Sequence, residues 1–325
     1  MRKSILLASF SIMIVAMSFQ ASAQVQLDNK ESTALAEKDE SDELANMLNE
    51  SDPATKKKTE YTIATFKTTR IINSHSIENT GKGVLDLKIS HRFTSIDKGI
   101  KDFFGLDGAT IRLGLDYGLT DGITVGIGRN SYEKEYDGYV KAKILRQSNR
   151  SPLSVSYVGS SMIQTLDANV LPGQTYYFSN RVCYANQILV ARKFSQSLSL
   201  QFMPTHVHYN LVELQSDAND LIALGFGGRL KLSKRVSLNL EYFYQLPDLK
   251  MAGTTNSLSV GFDIETGGHV FQLHFTNSAG LTERTYVGRT TDKWTDGGIR
   301  FGFNISRVFT VRKPREFKNL TNKIY

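Results

Sequence analysis

Hydrophobic and polar residues alternate with a period of two along most of this chain. Between positions 221 and 232 the even residues are Ile222, Leu224, Phe226, Gly228, Leu230 and Leu232, and the odd ones are Leu221, Ala223, Gly225, Gly227, Arg229 and Lys231. After Ser233 and Lys234 the alternation resumes, with Val236, Leu238, Leu240, Tyr242, Tyr244 and Leu246 on one side. Arg235, Ser237, Asn239, Glu241, Phe243 and Gln245 occupy the other. Successive side chains of a strand point to opposite faces, so each run predicts a ribbon with one apolar and one polar side. Strands of soluble proteins usually have about five or six residues. Two of about twice that length, joined by a tight turn, predict a hairpin long enough to cross a bilayer at a tilt.

The same pattern recurs at residues 85–93, 111–119, 123–128, 140–144, 153–157, 182–193, 198–202, 258–265, 271–275 and 299–305. Each segment alone is a weak signal, whereas twelve in series are a strong one. Short connections (120–121, 148–151, 195–196, 233–234, 267–268) alternate with long ones (94–108, 131–137, 164–180, 210–219, 247–255, 277–297). Short turns on one side of a membrane and long loops on the other characterise outer-membrane barrels. The expected fold is therefore all-β: a closed antiparallel transmembrane β-barrel of about 12 strands over residues 84–311, with both termini periplasmic. A mean hydropathy of −0.26 fits half-polar strands. No segment beyond the leader approaches the length of a membrane-spanning helix, so only a closed barrel would satisfy backbone groups in lipid.

The ends of the chain read differently. Residues 1–23 have the form of a signal peptide: Arg2 and Lys3, an apolar run, then Ala21-Ser22-Ala23, which predicts cleavage between Ala23 and Gln24. Residues 24–60 form an acidic periplasmic extension with a net charge of −5 from ten acidic and five basic residues. Ser41 or Asp42 could cap one short helix there, with Glu43 in its first turn and Leu44, Met47 and Leu48 along one side. The extension reads as a linker or, alternatively, as a docking or plug element for a periplasmic protein partner. Residues 61–83 are extended, but Ile63, Phe66, Ile71 and Ile72 share no parity, so they predict a plug or mouth cover rather than a wall strand. Residues 312–325 form a basic tail. The whole chain carries +7, yet its basic residues are spread over many strands of an exported protein, which argues against nucleic-acid binding. Cys183 is the single cysteine, so no disulfide forms within the chain.

Four stretches carry a family resemblance: FKTTRIINSHSIE (66–78), LDLKISHRF (85–93), FFGLDGATIRLGLDYGLTDGITVGIGR (103–129) and YDGYVKAKILRQS (136–148). Here the chain resembles a domain-of-unknown-function family of outer-membrane barrels from Bacteroidetes-type bacteria. The resemblance implies a barrel in the outer membrane and brings no catalytic residues with it. The tail departs from the usual pattern, in which the last strand closes on a C-terminal aromatic.

Candidate chemistry sits on the inward polar face. Lys88, Arg92, Arg112, Arg229, Lys231, Arg235 and Arg300, together with Asp116, Glu241, Asp263, Glu265, Gln272 and His274, are the expected lumen-lining residues. They would line an aqueous passage with mild anion preference, or pair across the interior and close it. His206 and His208 share one side of an extended segment but find no third ligand at metal-site spacing, so they read as loop or rim histidines. His75, beside Asn73 and Glu78, is the histidine best placed for a specific role. Gly126 and Gly128 read as packing room. No phosphate loop, zinc motif or catalytic constellation is present in the sequence, so no cofactor and no metal is expected. The expected function is a monomeric, porin-like channel or binder for a small polar solute in the outer-membrane bilayer. A closed anchoring barrel and a barrel hydrolase or acyltransferase are the alternatives.

Overall fold

The computed structural model describes residues 59–166, 175–212, 214–266 and 269–312. Twelve strands follow one another along them: β1 (Val84–Ser95), β2 (Ala109–Gly118), β3 (Ile123–Asn130), β4 (Glu135–Leu145), β5 (Ser154–Gln164) and β6 (Val182–Lys193) come first. Then come β7 (Leu198–Tyr209), β8 (Asp220–Lys231), β9 (Val236–Gln245), β10 (Ser257–Thr266), β11 (His269–Thr276) and β12 (Arg300–Thr310). Each pairs antiparallel with its sequence neighbours, and β1 pairs with β12, which closes the barrel. Closure leaves no edge strand with unpaired backbone groups, the condition for a sheet in lipid. The registers put like with like on the outer face, as in Leu230↔Leu238 and Ile89↔Ile305. All twelve expected strands are present. Residues 61–72 stay out of the wall and make only isolated bridges, Tyr61 with Ser148 and Arg70 with His75.

Burial is inverted relative to a soluble protein. Arg92, Lys141 and Glu241 are 1%, 0% and 1% exposed, whereas Ile127, Leu113 and Leu240 are 64%, 52% and 50% exposed. An apolar band of this extent would be an aggregation liability in water and is the expected outer surface of a barrel in a bilayer. Among the described residues no helix is long and apolar enough to cross a membrane. The leader (1–23), its Ala23–Gln24 junction, nearly all of the 24–60 extension, the Gly267-Gly268 turn and the tail beyond Arg312 lie outside the described residues.

Candidate functional site

The site is the barrel interior, and the chain fills much of it with two of its own segments. The first, residues 64–80, enters from the end that carries the short turns. Its aperiodic apolar residues are core residues: Phe66, Ile71, Ile72 and Ile77 are buried and pack with Met203, Leu221 and Phe243 of the wall. Gly227 has no side chain where Ile71 approaches, and a Cβ there would overlap the Ile71 side chain. Residues 69–76 turn back on themselves through Ile71 N–H to Ser74 O (2.9 Å) and Ser76 N–H to Thr69 O (3.0 Å). A tight turn buried among side chains leaves backbone groups in need of partners, and the wall supplies them. Glu241 of β9 accepts the amides of Ile72 (3.2 Å), Asn73 (3.1 Å) and Ser74 (2.9 Å) as well as the Ser74 hydroxyl (2.7 Å).

Other wall side chains bind the remaining groups of this segment. Lys141 of β4 donates to the carbonyls of Thr69 (3.5 Å), Ser76 (3.2 Å) and Glu78. Gln272 of β11 donates to Ile71 O (2.9 Å), Asn304 of β12 to Ile72 O (2.9 Å) and Gln201 of β7 to His75 O (2.7 Å). Arg229 of β8 donates to the carbonyls of Ala64 and Thr65, both at 3.3 Å. Strands on all sides of the barrel therefore hold this one segment.

The second segment descends from the opposite, long-loop end. Residues 277–290 were expected to be part of an external loop; instead they fold inward and carry a one-turn helix, α1 (Glu283–Tyr286), whose four residues are all buried. Thr282 and Thr285 cap it reciprocally, which supplies its otherwise unpaired first N–H groups. Arg284 pairs with Glu133 and with Glu135 (3.3 Å), and Tyr209 donates from its hydroxyl to Arg284 O (2.6 Å). Gln245 donates to Val287 O (2.6 Å), and Arg92 to Ser278 O (3.0 Å). Arg92 also donates to the Asn73 side chain (2.8 Å), so one arginine of β1 holds both inner segments.

The two segments meet near the middle. Glu283 Oε1 lies 3.5 Å from Arg70 Nη1 and 3.4 Å from His75 Nε2. Burial, and then the charges of Arg70, Lys141, Lys88 and Arg112, hold His75 well below the usual imidazole range. Among the described residues its ring nitrogens have no hydrogen-bond partner, so the 3.4 Å approach to Glu283 is a contact of a neutral ring rather than an ion pair. The ring packs edge-on against Tyr139, with centroids 4.3 Å apart. A cavity of about 450 Å³ remains at the short-turn end, beside Phe66, Thr69, Asp86, Glu265 and Ser306.

Most of the expected lumen residues face this interior. Lys88, Arg92, Arg112, Asp116, Arg229, Glu241, Asp263, Gln272 and His274 are buried there. Lys88 pairs with Asp116 and with Asp86 (3.1 Å), and Arg112 pairs with Asp137 (2.5 Å). Glu265, half-buried, pairs with Lys67, and Arg300 pairs with Asp292 (2.7 Å). Lys231 is half-buried at the end of β8. Arg235 is the correction: it lies in the turn before β9 and is exposed, because the alternation breaks at Ser233 and strand geometry restarts only at Val236. His206 and His208 sit at the exposed rim, each 2.8 Å from the same Asp220 oxygen, a partner that sequence spacing does not reveal. A Cβ on Gly126 would overlap Tyr139, and one on Gly128 would overlap Arg112 and Asp137, so both glycines make room for inward side chains.

Lys141, Asp137, Glu283 and Arg284 were missed. For Lys141 the signal existed, since Val140 and Ala142 face outward and the position between them must face inward, whereas Asp137 falls in the expected connection 131–137, whose last residues belong to β4. Glu283 and Arg284 lie in a four-residue helix with no periodicity to read.

The fold and interior define a membrane β-barrel closed around its own polypeptide. The chain belongs to the membrane bound beta barrel domain family (DUF5777), whose model matches residues 66–309. That match begins at Phe66, so the first inner segment is part of the shared domain. Among solved structures the chain resembles the NanC porin (10% identity, TM-score 0.44, covering 69% of this chain and 98% of the other). It also resembles the KdgM porin (10%, 0.43, 70% and 99%) and an outer membrane channel from Pseudomonas putida F1 (13%, 0.41, 72% and 98%). A comparison with curated proteins finds no match.

Proposed function

We propose that this chain is a porin-like channel of the outer membrane for small polar solutes, held closed in this conformation by residues 64–80 and 277–290. One observation carries the reading. The inward wall is polar and charged on many strands, and besides pairing with one another its side chains bond to the backbone of the two inner segments. A wall of that kind would be solvated if either segment left, which is what a passage requires. In this reading residues 61–83 are the plug, residues 84–311 the barrel and residues 312–325 a basic tail. Residues 1–23 are removed after Ala23, the short turns and both termini are periplasmic, and residues 24–60 give a periplasmic protein a handle on the plug. The barrel acts as a monomer without a cofactor.

The interior favours a second reading, a permanently closed anchoring barrel, because Lys141 and Glu241 are wholly buried and bonded to the plug. An enzyme is the weakest reading. His208 does contact Asp220, but it shares that carboxylate oxygen with His206 at the exposed rim, and among the described residues no hydroxyl or thiol is hydrogen-bonded to either. Planar-bilayer recordings of the refolded protein, with and without residues 24–83, separate the first two readings. Conductance that appears or rises on truncation supports the plugged channel. Silence from both proteins, with folding verified, leaves the anchoring barrel.

A further inference from the structure

We propose that a small void between the two inner segments and strands β1, β2 and β12, with Ile72 and Leu281 as its apolar walls, is a binding site for one chloride-sized anion. The void measures about 10 Å³, roughly what a single water or monatomic ion needs, and too little for phosphate or a carboxylate solute. Arg70, Lys88 and Arg112 wall it, with Asn73, Ser90 and Asn304 as neutral polar neighbours, and no carboxylate lines it. The acidic partners of the three cations stand elsewhere: Glu283 beside Arg70, Asp86 and Asp116 beside Lys88, and Asp137 beside Arg112.

Donors remain after those pairings. Arg112 gives Nε (2.9 Å) and Nη2 (2.5 Å) to Asp137, and its Nη1 has no acceptor among the described residues. Arg70 uses Nη1 on Asn73 O (2.9 Å), leaving Nη2 and Nε without one. Ser90, on the inward parity of β1 between Lys88 and Arg92, has a hydroxyl that bonds to nothing else described. Three fixed positive groups and one free hydroxyl thus converge on a space that can hold one small ion. An anion there would be held by donors already in position, at little ordering cost. Because each cation already has a carboxylate on its far side, the binding is weak, in the millimolar range that a site on a passage needs for release. The site is independent of whether the barrel conducts. If it does conduct, small anions are the solute class it would take.

The test uses full-length protein refolded in detergent and dialysed into gluconate, which is too large for the void. Chloride is then titrated while the chloride-35 NMR line width is followed. A saturable excess broadening is expected, with Ser90→Ala weakening the affinity about tenfold, the loss of one hydrogen bond to an ion. Arg70→Gln should abolish the saturable part, and Arg235→Gln, in an exposed turn, should leave it unchanged. Ser90→Ala removes no other side-chain hydrogen bond among the described residues, so it keeps the test available if Arg70→Gln fails to fold. Broadening that rises linearly with chloride and is the same in wild type and Ser90→Ala overturns the site. Crystals grown in bromide give an independent readout: an anomalous peak between Arg70 and Arg112 is expected, and peaks confined to the surface contradict it.

Discussion

Glu241 does more than any other single side chain to place the first inner segment. Its carboxylate accepts three consecutive amides and one hydroxyl in a site closed to solvent, where each group would otherwise lack a partner. Glu241→Gln removes the charge and half of the acceptor capacity. The expected result is local destabilisation of about 1.5–3 kcal/mol, on the scale of hydrogen bonds to a charged group. It would be read as faster hydrogen exchange at Ile72, Asn73 and Ser74 with the strands still protected. Unchanged exchange would mean that the apolar contacts of Ile71 and Ile77 hold the turn by themselves.

His75 gives the interior a pH dependence whose sign is set. The ring is neutral when folded, with its pKa well below 6.5, and it is faced by Arg70, Lys88, Lys141, Arg112, Tyr139 and Glu283. Between the folded and unfolded values the unfolded chain binds the extra proton. His75 therefore contributes no penalty above about 6.5 and destabilises the fold progressively as pH falls below it. Denaturant unfolding in detergent from neutral pH to about 5 should show that loss in wild type, and His75→Gln should flatten it. Equal slopes for the two proteins would contradict the neutral, buried assignment.

At the scale of elements, the wall was legible in the sequence and its filling was not. Every strand repeats a period-two pattern because one face meets lipid and the other meets polar groups, and that constraint writes itself into successive residues. Parity also revealed which side of β1, β2, β8 and β9 carries charge. It failed at Arg235, where a turn resets the phase. Lys141 was legible in principle from its outward neighbours Val140 and Ala142. The two inner segments follow no period, since each residue there answers to a different wall strand. Residues 61–83 read as a plug or mouth cover because they share no parity, without any sign of which wall residues would hold them, and residues 277–290 looked like any long loop. What specifies the second segment is scattered: the Thr282–Thr285 cap, Tyr286 against Phe243, and Arg284 against Glu133 and Glu135.

The fit between wall and filling can be probed at one glycine. Gly227→Val puts a side chain where Ile71 lies, on a strand whose outer face is unchanged. Overpacking of this kind costs about 1–3 kcal/mol. The segment is not part of the closed ladder that the wall strands form, so the expected outcome is an intact barrel with residues 69–76 displaced. Protease sensitivity of the segment, with the barrel resistant, would report it. A barrel that loses its heat-resistant migration on gels along with the segment would mean that wall and filling fold as one unit.

For the whole molecule, two chain segments entering from opposite ends meet at Glu283, Arg70 and His75, and Arg92 binds both. The two segments are therefore coupled through shared partners, and in the proposed channel each contributes to closure, so a full passage requires both to leave. The most direct test is single-channel recording from four refolded proteins: full length, lacking residues 24–83, with residues 278–290 replaced by a short glycine–serine linker, and with both changes. The expected series runs from silence or brief openings in the full chain, through small conductances in the two single variants, to a steady and larger conductance in the double variant. A double variant that folds, inserts and stays silent would contradict the claim that these segments are what closes the barrel.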